Sequence, residues 1–239
     1  MNAKQLFILF ALLYFSTISY AGDSIRVVST HWPPYTNEAA PTDFTREVMN
    51  QAFALSGIKT KVSFIPWKRA LDDAEKGRYD AIAPIYSSPA RLDALLFSAP
   101  LYGSELILLR KKQSEQDTHI KDKIFGVVRG YSNSDWIDNT TDIVKTYAKN
   151  DTHNLALLEK NRIDICVIER RVAETILNSQ GKNIDDYLVS SSAIEFKPFY
   201  IAFPLINPNS KDLVSAFNSG FIQLMLNGRL KQISDEYLK

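Results

Sequence analysis

The sequence predicts an α/β fold in which one strand-and-helix unit occurs twice. Residues 75–83 (EKGRYDAIA) and 159–167 (EKNRIDICV) read almost alike, because both follow the pattern E-K-[G/N]-R-x-D before an apolar run. Gly and Asn tolerate the left-handed backbone that ends many helices better than other residues do. Each copy therefore indicates the end of a helix, a turn and a buried strand.

Helix and strand patterns alternate around these two copies. Pro66 is placed to begin a helix before the first copy, and Asp151 or Thr152 is placed to cap another before the second. Short β-rich runs separate the helices, at residues 25–28, 61–65, 81–85, 124–128 and 163–168. This alternation is typical of a mostly parallel sheet covered by helices on both faces.

Two further apolar runs divide the chain into two lobes. We interpret residues 104–109 and 199–203 as strands that cross between the lobes. Residues 210–226 and 230–238 have the pattern of helices that return to the first lobe. The predicted first lobe consists of residues 22–110 and 199–239, and the second, inserted lobe consists of residues 111–198.

Residues 1–21 predict a cleavable signal peptide and a periplasmic location. Lys4 precedes an apolar run at residues 6–15, and the small residues Ser19 and Ala21 stand where a signal peptidase cuts. The alternative is an uncleaved membrane anchor, but the run is shorter than the about 20 residues that span a bilayer. We expect a mature chain without stable membrane insertion.

Charge and composition disfavour several classes of protein. The formal net charge is +1, and loss of Lys4 with the signal peptide leaves a neutral chain, so we expect no binding to nucleic acid. Cys166 is a single cysteine in an apolar run, where burial as a small hydrophobe is the default. His31, His119 and His153 lack metal-ligand spacing, and no glycine-rich phosphate loop is present. We expect a monomer with no cofactor, no metal and no catalytic residue.

Two oppositely charged residues follow the two repeated strands. Ligands of open α/β sheets bind beyond the carboxyl ends of the strands. Ser88 and Pro89 are placed to start a helix whose first turn contains Arg91, and a guanidinium there matches a ligand carboxylate. Glu169 follows the second strand, so the pair would suit a zwitterion held between the lobes. The alternatives are an Arg91 that is solvated or paired with Asp93, and a Glu169 paired with its adjacent arginines.

Aromatic residues supply candidate walls for this site. Trp32 and Tyr35 stand on a proline-stiffened loop after the first strand, and Trp67 starts the next helix. Packing within the lobe's own core is the alternative, and we favour it for Tyr35. Tyr131 and Ser132 follow a strand of the second lobe and are placed to face a ligand, although an ordinary strand-to-helix turn would look the same.

The chain resembles the family 3 extracellular solute-binding proteins, which include the polar-amino-acid receptors of bacterial uptake systems. The motifs that carry the resemblance are, in chain order, WPPY at 32–35, PWKRAL at 66–71, GRYDAI at 77–82, Arg91, FSAP at 97–100, FGVVRG at 125–130, RID at 162–164 and NGRLKQI at 227–233. Each motif alone is weak, but their order over the whole mature chain is specific.

The resemblance implies a type II periplasmic-binding fold, in which two α/β lobes joined by two hinge strands close on a ligand without chemistry. In amino-acid-binding members, the arginine that holds the ligand α-carboxylate falls on Arg91, and the acid that holds the α-amino group falls on Glu169. A hydroxyl residue after the glycine turn falls on Ser132. The aromatic residue that stacks over the ligand looks like Trp32, with Trp67 nearby.

Three positions depart from the family pattern. Glu169 stands where amino-acid binders usually have Asp, while Pro84 and Tyr86 stand where they have a small hydroxyl residue. These changes alter the size and the donors of the pocket, with the phenol of Tyr86 at the side of Arg91.

The resemblance implies binding of a small polar solute, an amino acid or a related small carboxylate, for delivery to an ABC transporter. One alternative is an enzyme on the same scaffold, since some relatives resemble dehydratases in which a cleft carboxylate acts, here Glu169. Another alternative is a binding protein that presents itself to a membrane sensor instead of a transporter.

Overall fold

The computed structural model describes residues 24–112 and 122–238. The predicted signal peptide, residues 1–21, lies outside the described residues. No helix within the described ranges combines the length and the apolar character needed to cross a membrane.

Ten strands of the described residues form one mixed sheet in the order β2-β1-β3-β10-β5-β8-β6-β7, with β4 beside β10 and β9 beside β5. The strands are β1 (Ser24–Ser29), β2 (Lys59–Phe64), β3 (Ala81–Tyr86), β4 (Leu95–Phe97), β5 (Tyr102–Lys111), β6 (Ile124–Val128), β7 (Val144–Ala148), β8 (Ile165–Glu169), β9 (Tyr187–Val189) and β10 (Glu195–Pro204). Strand β1 runs parallel to β2 and β3, and β6 runs parallel to β7 and β8.

The long strands β5 and β10 connect these two parallel groups. They pair with each other in antiparallel register, and β10 also pairs with β3 while β5 pairs with β8. This arrangement confirms the predicted pair of crossing strands. In the structure each strand is ten residues long. We call the β1–β4 side the first lobe and the β6–β9 side the second lobe.

Helices cover the two groups of strands. They are α1 (Phe44–Ala54), α2 (Trp67–Glu75), α3 (Pro89–Leu92), α4 (Asp135–Asn139), α5 (Asp151–Glu159), α6 (Arg170–Ser179), α7 (Ser210–Leu226) and α8 (Arg229–Tyr237), with one 3₁₀ turn at Ile184–Asp186. Helices α1, α2, α3, α7 and α8 belong to the first lobe, and α4, α5 and α6 belong to the second. The structure therefore confirms the α/β class and the two-lobed architecture.

The repeated motif forms the same local structure in both lobes. Gly77 after α2 and Asn161 after α5 both adopt positive φ, 71° and 53°. The aspartate three residues later then exchanges two hydrogen bonds with the neighbouring strand. The Asp80 carboxylate accepts the N–H of Arg26 on β1, and the Asp80 backbone N–H donates to the Arg26 carbonyl. Asp164 makes the same two hydrogen bonds with Ile124 on β6. Each aspartate thus fixes where its parallel ladder begins.

Two predicted helix starts need correction. Helix α5 is capped by Asn150, whose side chain accepts the N–H of His153, and not by Asp151 or Thr152. Helix α3 follows Ser88 and begins at Pro89 as predicted, but the Ser88 side chain makes no capping hydrogen bond and the helix has only four residues.

The core of the first lobe depends on close packing of α1 against α7. Gly220 of α7 is buried, and a Cβ at this position would collide with the backbone carbonyl oxygen of Ala52 in α1. A backbone atom cannot yield as a flexible side chain can.

In the second lobe, Cys166 is fully buried in β8, which confirms it as a core residue.

We predict that Gly220→Ala destabilises the protein although Ala is the better helix former by about 1 kcal/mol. Overpacking against a backbone carbonyl costs about 1–3 kcal/mol, so after the gain in helix propensity the free energy of unfolding in urea should fall by up to about 2 kcal/mol. Ser219→Ala, on the exposed side of the same helix, is the control and should change it by less than about 0.5 kcal/mol. A Gly220→Ala variant as stable as the wild type would contradict the packing argument.

Candidate functional site

A small cavity lies between the two lobes, beyond the carboxyl ends of β1, β3 and β6. Aromatic and apolar side chains form most of its wall, and one side chain in the wall is charged. The residues that line it are Thr30, Trp32, Trp67, Pro84, Ile85, Tyr86, Arg91, Tyr131, Ser132 and Phe199. First-lobe residues and second-lobe residues both contribute, so the cavity is complete only while the lobes are together.

The structure brings together six of the seven residues that the sequence predicts for the site. These six are Trp32, Trp67, Tyr86, Arg91, Tyr131 and Ser132. Glu169 is the exception, because it does not line this cavity but borders a separate groove between Tyr102, Arg170 and Phe196.

Arg91 is the charged residue of the cavity wall. Its side chain is 4% exposed, with Nη1 donating to the Tyr86 carbonyl at 2.5 Å and Nη2 donating to the Gly130 carbonyl at 2.9 Å. The guanidinium also lies 5.4 Å from the centre of the Trp67 ring. Burial lowers the pKa of Arg91 to about 10, so the group keeps its charge at neutral pH.

No carboxylate of residues 24–112 or 122–238 forms an ion pair with Arg91. The pairing with Asp93 considered above is therefore not formed. Since a guanidinium has five N–H donors and two are used, the remaining donors are free to bind a ligand. Arg91 is a buried cation without a counter-ion in the described chain.

Glu169 ends β8 and caps α6, and it is 3% exposed. One carboxylate oxygen accepts the N–H of Val172 at 2.8 Å and the other accepts the hydroxyl of Tyr35 at 3.0 Å. Burial raises the pKa of Glu169 to about 7, although these hydrogen bonds act in the opposite direction. The adjacent arginines have other partners, because Arg170 pairs with Glu105 and Arg171 donates to the carbonyl of Leu238.

Tyr35 separates Glu169 from the cavity. Its ring is fully buried, 4.7 Å from the Trp32 ring and 4.8 Å from the Phe199 ring, and those two rings form part of the cavity wall. The core position favoured for Tyr35 is therefore correct. Its hydroxyl adds a contact that the sequence did not reveal, a hydrogen bond between the lobes.

The carbonyl of Gly130 forms a second contact between the lobes. It accepts the indole N–H of Trp67 at 2.9 Å in addition to the guanidinium of Arg91. Gly130 has φ of 80°, a conformation that favours glycine. Two donors of the first lobe thus share one acceptor of the second lobe.

Asp151 and Lys197 are two buried charges near the cavity that the sequence analysis missed. Asp151 accepts the hydroxyl of Tyr131 at 2.9 Å, and burial raises its pKa to about 6. The buried indole N–H of Trp32 makes no hydrogen bond of good geometry in the described chain, but it lies near enough to Asp151 to lower the pKa of that carboxyl. In the sequence Asp151 has the pattern of a helix cap, which gives no sign of its contact with Tyr131.

Lys197 of β10 lies behind the opposite wall. Its ammonium donates to the carbonyl of Asn133 at 2.5 Å and to the hydroxyl of Ser132 at 3.2 Å, and it lies 5.5 Å from the centre of the Tyr86 ring. Its nearest carboxylate is that of Glu195, at 3.7 Å. A lysine in an alternating strand pattern gives no sign in the sequence that it reaches a loop of the second lobe.

The described side chains form no candidate metal site. Among residues 24–112 and 122–238, no group of three or more His, Cys, Asp or Glu side chains is arranged to hold a metal ion.

The model of the bacterial extracellular solute-binding proteins, family 3, matches residues 25–239, almost the whole chain. The chain belongs to this family. No curated protein matches this solute-binding protein.

Solved structures show the same fold as this family 3 protein. An ancestral arginine-binding protein bound to arginine aligns with a TM-score of 0.79 at 16% identity, over 91% of this chain and 99% of that one. A substrate-binding protein of an ABC uptake transporter from Streptococcus pneumoniae, with bound histidine, aligns with a TM-score of 0.78 at 23% identity, over 90% and 92%. A histidine kinase sensor domain aligns with a TM-score of 0.77 at 15% identity, over 90% and 96%. These similarities establish a type II periplasmic-binding fold.

For this solute-binding protein we predict a stability that depends on the protonation of Glu169. The folded protein holds that proton up to about pH 7, whereas the ordinary pKa is 4.5, so the free energy of unfolding falls as the pH rises from about 5 to 7. Glu169→Gln removes this contribution and should become more stable than the wild type by about 1–3 kcal/mol at pH 7.5.

Urea denaturation of both proteins at pH 5 and pH 7.5 measures the effect. Near pH 5 the neutral Glu169 and its amide replacement should give similar stabilities. Parallel pH profiles for the two proteins would show that Glu169 does not carry the shifted pKa.

Proposed function

We propose that this protein binds a small solute that carries a carboxylate, an amino acid or a related small carboxylate, between lobes that close around it. Arg91 is the observation on which the proposal rests. A buried charge is costly unless it is paired and hydrogen-bonded. A ligand carboxylate would supply the missing counter-ion, since its two oxygens match the fork of the guanidinium.

The remaining wall suits a ligand of this kind. We propose that Trp32, Trp67, Tyr86 and Tyr131 contact the body of the ligand and that Ser132 contributes a hydroxyl. Rigid aromatic faces provide a large contact area at little conformational cost.

We propose that lobe closure accompanies binding, with residues 22–110 and 199–239 moving against residues 111–198. Only the closed arrangement offers Arg91 and the second-lobe wall to one ligand, so the ligand stabilises that arrangement. In this proposal Glu169 acts in closure through Tyr35. The protein would act as a periplasmic monomer, exported by its signal peptide, that delivers the ligand to an ABC transporter.

We further propose that the protein does no chemistry on its ligand. The acids nearest the cavity, Glu169 and Asp151, lie behind Tyr35 and Tyr131 and are absent from its wall. General acid or base catalysis needs such a group within hydrogen-bond reach of the reacting atom.

The similarity to a histidine kinase sensor domain supports a second candidate function, recognition by a membrane sensor. The same ligand-dependent closure would then be recognised by a signalling receptor instead of a permease. Pull-down of solubilised membranes with liganded and unliganded protein separates the two candidates, because the first predicts a permease and the second a kinase or other receptor.

We predict that Arg91→Met weakens ligand binding at least tenfold, because each charge-assisted hydrogen bond contributes about 1.5–3 kcal/mol. The ligand is first selected by thermal shift from amino acids and small organic anions, and its affinity is then measured by isothermal titration. Arg129→Met is the matched control, since Arg129 is exposed, precedes Gly130 in the chain and does not line the cavity. Equal affinities for Arg91→Met and the wild type would exclude Arg91 from the site.

A further inference from the structure

We propose that the ligand is an apolar, flat carboxylate without an α-ammonium group, of the arylalkanoate class, and not an α-amino acid. This inference rests on the proposed function, because it takes the carboxylate bound by Arg91 as given. It concerns what the rest of the cavity accepts.

The wall of the cavity contains a cation and no anion. Among its lining residues Arg91 is the charged one, and no Asp or Glu is present. Lys197, which pairs with Glu195 at 3.7 Å, lies behind Ser132. An ammonium group placed in this cavity would therefore approach the guanidinium of Arg91 and meet no anionic partner in the wall.

Three hydrogen-bond acceptors of the wall already have donors within the protein. The Gly130 carbonyl accepts from both Trp67 and Arg91, and the Tyr86 carbonyl accepts from Arg91. The Ser132 hydroxyl accepts from Lys197. An ammonium has three donors to satisfy, and at these acceptors it would compete with the donors of the protein.

Neither nearby acid can reach an α-ammonium in this arrangement. Glu169 lies behind the fully buried ring of Tyr35, which in turn packs behind Trp32 and Phe199. Asp151 lies behind Tyr131, whose hydroxyl already donates to it. Contact with either acid would require displacing an aromatic residue from its packing.

The aromatic walls match an apolar group better than a cation. The Trp67 and Tyr86 rings already lie near protein cations, 5.4 Å from the guanidinium of Arg91 and 5.5 Å from the ammonium of Lys197. A ligand cation over these rings would compete with those groups. A flat hydrocarbon group instead packs edge to face against them, as Trp67 and Tyr131 already do at 5.8 Å.

Matched pairs of ligands test the inference by thermal shift and isothermal titration at pH 7.5. The pairs are 3-phenylpropanoate with L-phenylalanine, indole-3-propanoate with L-tryptophan, and 4-methylpentanoate with L-leucine. Phenethylamine, glycine betaine, L-arginine and L-histidine complete the set. We expect at least one aromatic acid to bind at least tenfold more tightly than its amino-acid partner, with no binding of phenethylamine.

Two outcomes would overturn the inference but leave the proposed function standing. One is an amino acid that binds as tightly as its deaminated partner or more tightly, with Arg91→Met abolishing the binding. The other is binding of glycine betaine alone, which would mean that the rings hold a ligand cation. If no probe binds, the arylalkanoate assignment is wrong, and Arg91→Met against the ligand found in the broader screen decides the proposed function by itself.

Arg91→Met serves as the positive control for loss of binding.

Discussion

A guanidinium that is buried without a carboxylate partner is the constraint on which the site depends. The described chain supplies Arg91 with two carbonyl acceptors and an aromatic face, but no carboxylate of the described residues forms an ion pair with it. Such a group is tolerated because carbonyl dipoles and a ring partly replace its hydration. One of those carbonyls belongs to the other lobe, so the environment of this cation and the approach of the lobes are linked.

The fold was predictable from the sequence wherever a local signal and the tertiary structure agree. Strand β6 and helix α7 have the predicted bounds, and the repeated motif located both left-handed turns, at Gly77 and Asn161. Strands β4 and β9 were missed because three residues carry no periodicity. Their extended conformation comes from pairing with β10 and β5.

The location of the candidate site was predictable from the sequence, but which side chains lie in front of others was not. The rule that ligands bind at the carboxyl ends of strands placed Arg91 and the aromatic residues correctly beside one cavity. It also placed Glu169 at the equivalent strand end, but it gave no information on what lies in front of that carboxylate. The residue in front is Tyr35, 134 positions away in sequence, and only the tertiary structure brings them together. The contacts of Asp151 with Tyr131 and of Lys197 with Ser132 are likewise formed only in the tertiary structure.

If the lobes move apart as proposed, the carbonyl shared by Trp67 and Arg91 makes that movement cooperative. If the hinge opened slightly, both donors would lose the same acceptor before water had room to replace it, and each buried unpaired donor costs about 1–3 kcal/mol. A half-open geometry therefore leaves two buried donors unpaired, whereas in a fully open geometry water hydrates both donors. We expect a bistable molecule with two discrete shapes and few intermediates.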